Sequence, residues 1–221
     1  MKIAYLVDVH NRFDAVPEAM DEVGSVDLLI IGGDITTGGT RSDAEKAIED
    51  WRRLAPQLLA VAGNMDSPAI DAALADLGVG LDGRGVVVGE VGVFGVSAAP
   101  RSPLRTPYEL DDDELGRRIE RGFSSVRDSS IRIFCPHAPP HGTACDRLRS
   151  GEHVGSRIIR AFVEREQPDL VLCGHIHEAR GADEIGGTRV VNPGPVAAGH
   201  YAVVSTDDGI SIRLDGARPM A

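Results

Sequence analysis

Short apolar, β-branched runs alternate with amphipathic stretches along most of the chain, a pattern that predicts an α/β architecture. Residues 3–7, 28–31, 58–62, 131–135 and 170–173 are nearly continuous in apolar side chains, as strands covered on both faces are. Between and after them, 13–23, 42–54, 68–77, 111–125 and 156–166 carry helical spacing, and several open with Ser, Asp or Pro at the cap or first-turn position. Over 86–97 and 188–214 the pattern changes to short strands broken by Gly, Asn-Pro and Asp-Asp-Gly turns, which predicts antiparallel hairpins and a mixed sheet system. Residues 99–107 hold three prolines and no apolar period, the mark of a surface loop that covers a site. The triplet Asp111, Asp112 and Asp113 reads as a helix start rather than a metal site. With no repeat and no long linker, 1–221 is expected to form one domain.

Composition narrows the class. The 221 residues are 42% apolar and 26% charged, near the globular average, which argues against a disordered, collagen-like or coiled-coil chain. Twenty-three basic residues against 34 acidic ones give a net charge of −11, a field that repels phosphate backbones and anionic lipid, so no stable nucleic-acid binding and no membrane association are expected. Cys135, Cys145 and Cys173 are odd in number and widely spaced, as buried thiols in a reducing compartment are, and no disulfide is expected. The first ten residues reach Asp8 too early for a secretory signal, so the expected location is the cytoplasm.

The chemistry gathers where the strands end. Each of the five buried-type strands runs into a potential metal ligand: Asp8 and His10, Asp34, Asn64, His137, then His175 and His177. In open α/β sheets the loops beyond the strand carboxyl ends collect at one edge, so side chains distant in sequence converge there. Asp8 with His10, and His175 with His177, are spaced two apart, which puts both members of each pair on one side of an extended segment. Glycine precedes the ligand-type residue at Gly33, Gly63 and Gly174, allowing a sharp exit from the strand. Two aspartates, one asparagine and four histidines are too many for one ion and too rich in nitrogen for calcium or magnesium. Two transition ions sharing a carboxylate suit them better, and such a pair serves in-line displacement at phosphorus.

These residues resemble the calcineurin-like metallophosphoesterases, whose blocks read D-x-H, G-D, G-N-x-D/E, H and G-H-x-H in that order. Here they are Asp8-Val9-His10, Gly33-Asp34, Gly63-Asn64-Met65-Asp66, His137 and Gly174-His175-Ile176-His177, spanning residues 8–177. The runs 136–140, 174–178 and 192–194 are similar to those of small archaeal and bacterial phosphoesterases related to the cyclic-AMP phosphodiesterase group. The resemblance implies a four-layer α-β-β-α sandwich, two mixed sheets flanked by helices. It implies a first divalent ion on Asp8, His10, Asp34 and His177 and a second on Asp34, Asn64, His137 and His175. Manganese is the expected metal, with iron, nickel or zinc as alternatives. A hydroxide between the ions would attack a small or nucleotide-derived phosphodiester, with Asp34 and Asn64 in the reacting cluster.

Many relatives carry histidine where this chain has Met65, and a thioether cannot donate a proton. Protonation of the leaving group then falls to water, His141 or His153, or is weak, which favours diesters with acidic leaving groups. His141 either faces substrate or stands in solvent. His153 precedes a helix whose first amides would receive a phosphate oxygen, although Gly155 and Ser156 also read as plain helix capping. Arg147, Arg149 and Arg157 offer local positive charge for a phosphate or pair with surface acids. Asp66 either orients a ligand histidine or caps the helix beginning near Pro68. His200 reads as structural. The alternatives are a phosphomonoesterase or nuclease on the same site, or a non-catalytic protein-binding scaffold of the same fold. Self-association stays open.

Overall fold

The computed structural model describes residues 1–207 and 209–215. Strand β1 (Lys2–Leu6) leads to helix α1 (Ala15–Val23), then β2 (Leu28–Ile31), α2 (Arg41–Trp51), β3 (Gln57–Ala60) and α3 (Pro68–Asp76). The chain continues through β4 (Gly85–Val88), β5 (Val91–Val96), β6 (Ala99–Pro100), β7 (Glu109–Leu110), α4 (Asp112–Ser124), β8 (Ile131–Pro136), α5 (Arg157–Glu166) and β9 (Leu170–Leu172). It closes with β10 (Gly181–Ile185), β11 (Thr188–Asn192), β12 (Tyr201–Ser205) and β13 (Ser211–Asp215).

Two mixed sheets result. The first runs β13-β12-β1-β2-β3, with β1, β2 and β3 parallel and β12 and β13 antiparallel. The second runs β10-β11-β9-β8-β5-β4, parallel from β11 to β5 and antiparallel at both edges. Alternation along each strand builds the layers. Ile3, Tyr5 and Val7 of the first sheet meet Val93, Ile133, Cys135, Leu170 and Leu172 of the second in a core between the sheets. Ala4 and Leu6 face the other way and pack with Val16, Met20, Ile48 and Leu74 from α1, α2 and α3. On the far side, Phe94 and Phe134 stack with ring centroids 4.7 Å apart, and Phe123 of α4 and Phe162 of α5 close over them. This is the helix-sheet-sheet-helix order, and it explains the unbroken apolar strands: both faces are covered.

Among the described residues, four of the five α-helices carry a side-chain cap. Thr40 and Asp43 form a reciprocal capping box, and Ser67, Asp111 and Ser156 each accept from the amide three residues on. Asp111 therefore starts a helix, as its sequence indicates, and α3 is capped by Ser67 and not by Asp66. The expected helix over 13–23 begins at Ala15, and that over 42–54 ends at Trp51 in a tighter turn, Arg52–Leu54.

Three segments differ further. Residues 99–107 are not wholly loop, because Ala99–Pro100 pairs in parallel with Glu109–Leu110. The polar strand Gly181–Ile185 lies at a sheet edge, where one face needs no apolar cover. The expected antiparallel pairing is present between β4 and β5 and between β12 and β13, whereas Thr188–Asn192 pairs antiparallel with β10, upstream of the expected range, and parallel with β9. The Asp-Asp-Gly turn expected at 207–209 includes residue 208, which lies outside the described residues. All three cysteines are buried free thiols, and no helix among the described residues is long and apolar enough to cross a membrane.

Candidate metal centre

The parallel strands β1, β2 and β3 of one sheet, and β8 and β9 of the other, release their chains toward one edge of the sandwich. The exits are laced together by backbone hydrogen bonds: Gly32 N to Leu6 O at 2.7 Å, Asp8 N to Gly33 O at 3.0 Å, and His10 N to Asp34 O at 2.8 Å. Within the second sheet, the amide of Gly174 donates to His137 O at 3.0 Å. Asp8, His10, Asp34 and His175 all adopt left-handed backbone (φ 58°, 48°, 49° and 68°), a conformation that costs a non-glycine residue about 1–3 kcal/mol. Four strained residues at one spot mark a place where position outweighs local stability. Glycine is required beside them: a Cβ at Gly63 would overlap the Asp34 carboxylate, and one at Gly174 would overlap Val7.

All seven sequence-predicted ligands come to this edge. His10 Nε2 is 3.0 Å from His177 Nε2 and 3.6 Å from Asp34 Oδ2. His177 Nε2 is 3.7 Å from Asp8 Oδ2. On the other side, His137 Nε2 lies 3.0 Å from Asn64 Oδ1 and 3.5 Å from Asp34 Oδ1. Two groups whose donor atoms all lie within 4.8 Å of one another stand out, Asp8 with His10 and His177, and Asp8 with Asp34 and His137. The Asp34 carboxylate faces both sides, one oxygen toward His10 and the other toward His137. His175 stands beside the second group, its ring centroid 5.2 Å from that of His137, and its amide donates to the Asp8 carboxylate at 3.2 Å. His177 is 46% exposed and forms the mouth of the cluster.

Partners outside the cluster aim the rings. His137 Nδ1 pairs with the Gly32 carbonyl at 2.9 Å, which fixes the ring with Nε2 facing Asn64 and Asp34. Thr37 Oγ1, 2.7 Å from His10 Nδ1, does the same on the other side, and nothing in the sequence pattern marks it. Asp66 takes neither of the roles its sequence suggests. Its buried carboxylate accepts from the amides of Ile35 (3.1 Å), Thr36 (2.8 Å) and Gly63 (2.8 Å) and from the Thr36 hydroxyl (2.9 Å), and so ties the exit that carries Asp34 to the one that carries Asn64.

Electrostatics favour a cation among these groups. Burial first, then the neighbouring Asp34, pushes the Asp8 carboxyl up, with His137 opposing. Asp66 is pushed up to about 6 by the same two causes. Burial, then His137, pulls His175 down to about 3, which leaves a neutral imidazole with a lone pair to give. Oxygen and nitrogen donors of this kind, converging with their outer edges already hydrogen-bonded, are a fitting set for divalent transition ions.

His141 and His153 are placed elsewhere in the same loop system, their rings 5.9 Å apart. His153 Nδ1 is 2.7 Å from Asp146 Oδ1, and His153 lines a cavity of about 420 Å³ together with Arg147. Arg149 pairs with Glu178 at 3.2 Å on the surface, and Arg157 opens α5. Ser156 caps that helix.

The fold and the strand-end cluster define a phosphoesterase-type sandwich. The sequence agrees: residues 1–209 match the calcineurin-like phosphoesterase superfamily domain, and the chain belongs to that family. It is 32% identical over 205 residues to an uncharacterized protein of Methanocaldococcus jannaschii, covering 88% of each chain. It is 26% identical over 200 residues to a probable cyclic nucleotide phosphodiesterase of Synechococcus sp., covering 81% of this chain and 74% of that one. A crystal structure of a Thermus thermophilus protein superposes with a TM-score of 0.75 at 16% identity, covering 98% of this chain and 99% of that one, a likeness of fold.

Proposed function

We propose that this chain is a binuclear metal-dependent phosphodiesterase acting on small, nucleotide-derived phosphodiesters. The observation that carries the reading is the Asp34 carboxylate, whose two oxygens face His10 on one side and His137 on the other. A carboxylate flanked in this way is a bridge between two cation sites. Asp8, His10, Asp34 and His177 would hold one ion, and Asp34, Asn64, His137 and His175 the other. The mixed nitrogen and oxygen donors suit manganese, and iron, nickel or zinc in its place. When bound, such ions supply a water acidified toward neutral pH and neutralise the charge that develops at phosphorus.

The chain's own residues do the positioning. Gly32 and Thr37 fix the rings of His137 and His10, and Asp66 holds the loops carrying Asp34 and Asn64 at a set spacing. The exposed edge at His177 leaves an approach for a small ester. A net charge of −11 opposes long polyanions, and the diester preference draws support from the cyanobacterial relative's name. One domain carries the whole site, and three buried free thiols suit a reducing, cytoplasmic setting.

The test is manganese-dependent release of nitrophenol from bis(4-nitrophenyl) phosphate, lost in Asp34→Asn. A panel of cyclic and linear diesters and monoesters, assayed with manganese, nickel, iron and zinc, then fixes the class. An undiminished rate in Asp34→Asn removes the site, and monoester turnover above that of every diester changes the substrate.

A further inference from the structure

We propose that Tyr108 is a positioning residue for the ion held by Asn64: its phenol, pinned by Asp71 and Arg118, fixes the backbone amide that holds the Asn64 carbonyl. The proposal rests on the two-ion reading above and adds to it a residue outside the ligand set.

Asn64 follows β3, the edge strand of its sheet, and the exit that carries it is held from the other sheet. The amide of Ala62 donates to Ser97 Oγ at 2.8 Å, the amide of Ala98 to Ala62 O at 3.0 Å, and the amide of Tyr108 to Asn64 O at 3.0 Å. Ser97 and Ala98 follow β5, so a strand that ends in no candidate ligand supports the exit of one that does. The last of these bonds is the one that touches a candidate ligand residue directly. Asn64 Oδ1 lies 3.0 Å from His137 Nε2, and a turn of the Asn64 backbone would carry that oxygen away. A neutral amide oxygen has no charge to draw it to a cation, so its aim must be set beforehand by what surrounds it.

Tyr108 is fixed at its far end as well. Its hydroxyl donates to Asp71 Oδ2 at 2.9 Å and accepts from Arg118 Nη1 at 2.8 Å. Arg118 also pairs with Asp82, and with Glu114 at 2.7 Å. Ser97 joins the same group, its hydroxyl donating to Asp71 Oδ1 at 2.7 Å and its amide to Asp82 Oδ1 at 2.9 Å. Every polar atom around the phenol is thereby engaged, and the tyrosine itself is only 5% exposed. Asp71 stands on α3, which packs on the first sheet, and Arg118 on α4, which packs on the second. The phenol therefore joins two helix layers, while the amide of the same residue reaches the candidate metal centre. Fixing one end of so short a span fixes the other.

Tyr108→Phe removes the hydroxyl and keeps the ring and the amide. In the metal-free chain, hydrogen exchange at the amide of residue 108 should quicken by on the order of 10-fold, because its bond to Asn64 opens more readily without the phenol to hold it. Unchanged protection there overturns the proposal. Manganese titration followed by electron paramagnetic resonance reads the next link. The variant should bind one of two ions about 10-fold more weakly and the other as wild type does. The weakened ion should be the one that Asn64→Ala weakens, and not the one weakened by Thr37→Val on the His10 side. Equal loss at both ions, the mark of a general loosening, overturns the proposal, as does wild-type affinity at both or loss at the His10 side alone. Failure of the two-ion reading looks different, since wild type would then bind fewer than two ions or Asn64→Ala would bind both as tightly as wild type.

Discussion

Asp66 binds Thr36 twice, through the amide at 2.8 Å and the hydroxyl at 2.9 Å, while its other oxygen accepts from Gly63. One buried carboxylate thereby sets the distance between the loops of Asp34 and Asn64. Asp66→Asn replaces an acceptor with an NH2 group facing backbone donors. Each donor left unsatisfied costs about 1–3 kcal/mol, and the variant should show a lower urea midpoint together with weaker manganese binding by calorimetry. Wild-type values for both would show that this carboxylate does not set the spacing.

Thr37 supports His10 without belonging to the cluster. Thr37→Val keeps the side-chain shape and removes the oxygen 2.7 Å from His10 Nδ1. Loss of such an outer hydrogen bond to a ligand histidine costs about 10–100-fold in metal affinity or activity. Competition against a chromogenic chelator measures it, with thermal stability of the metal-free chain expected to change little because His10 and Thr37 meet near the surface.

Chelation should lower the melting temperature, and manganese should restore it. At a free metal concentration 100 times the dissociation constant, binding adds about 2.7 kcal/mol per site. Asp34→Asn should abolish the dependence on metal. A midpoint unmoved by chelator and manganese alike would count against any cation site at this edge.

A second, partly buried carboxylate gives a pH signature. Asp71 on α3 accepts from the Ser97 hydroxyl at 2.7 Å and the Tyr108 hydroxyl at 2.9 Å, and burial, then Asp82, pushes its carboxyl up to about 6. The folded chain therefore holds this proton more tightly than the unfolded chain, and stability from this group is lost as pH rises from about 4 to about 6. Asp71→Asn mimics the protonated form. Its stability relative to wild type should rise across that window in urea titrations at pH 4, 5, 6 and 7, and a flat difference refutes the shift.

How much of this was legible in the sequence depended on pattern. The candidate ligands could be read because each follows an apolar strand, and strand order alone sends their exits to one edge. Two positive-φ aspartates and two positive-φ histidines could not be read, since only pairing of the exits imposes that backbone. Thr37 sits in an Ile-Thr-Thr-Gly-Gly turn with nothing to distinguish it. Asp146 looks like a surface acid seven residues before His153, and it is buried only because the loop folds its amides around it. The strand Gly181–Ile185 was hidden by its polar residues, which an edge position permits.

Three strands of one sheet and two of the other lend side chains to the same cluster. Ions seated there would act as rivets through the seam of the sandwich, joining layers otherwise held by apolar contact and a few backbone bonds. Occupancy would then be felt throughout the fold, and a methyl group trimmed from Val93, in the core between the two sheets, would loosen the grip on the metal.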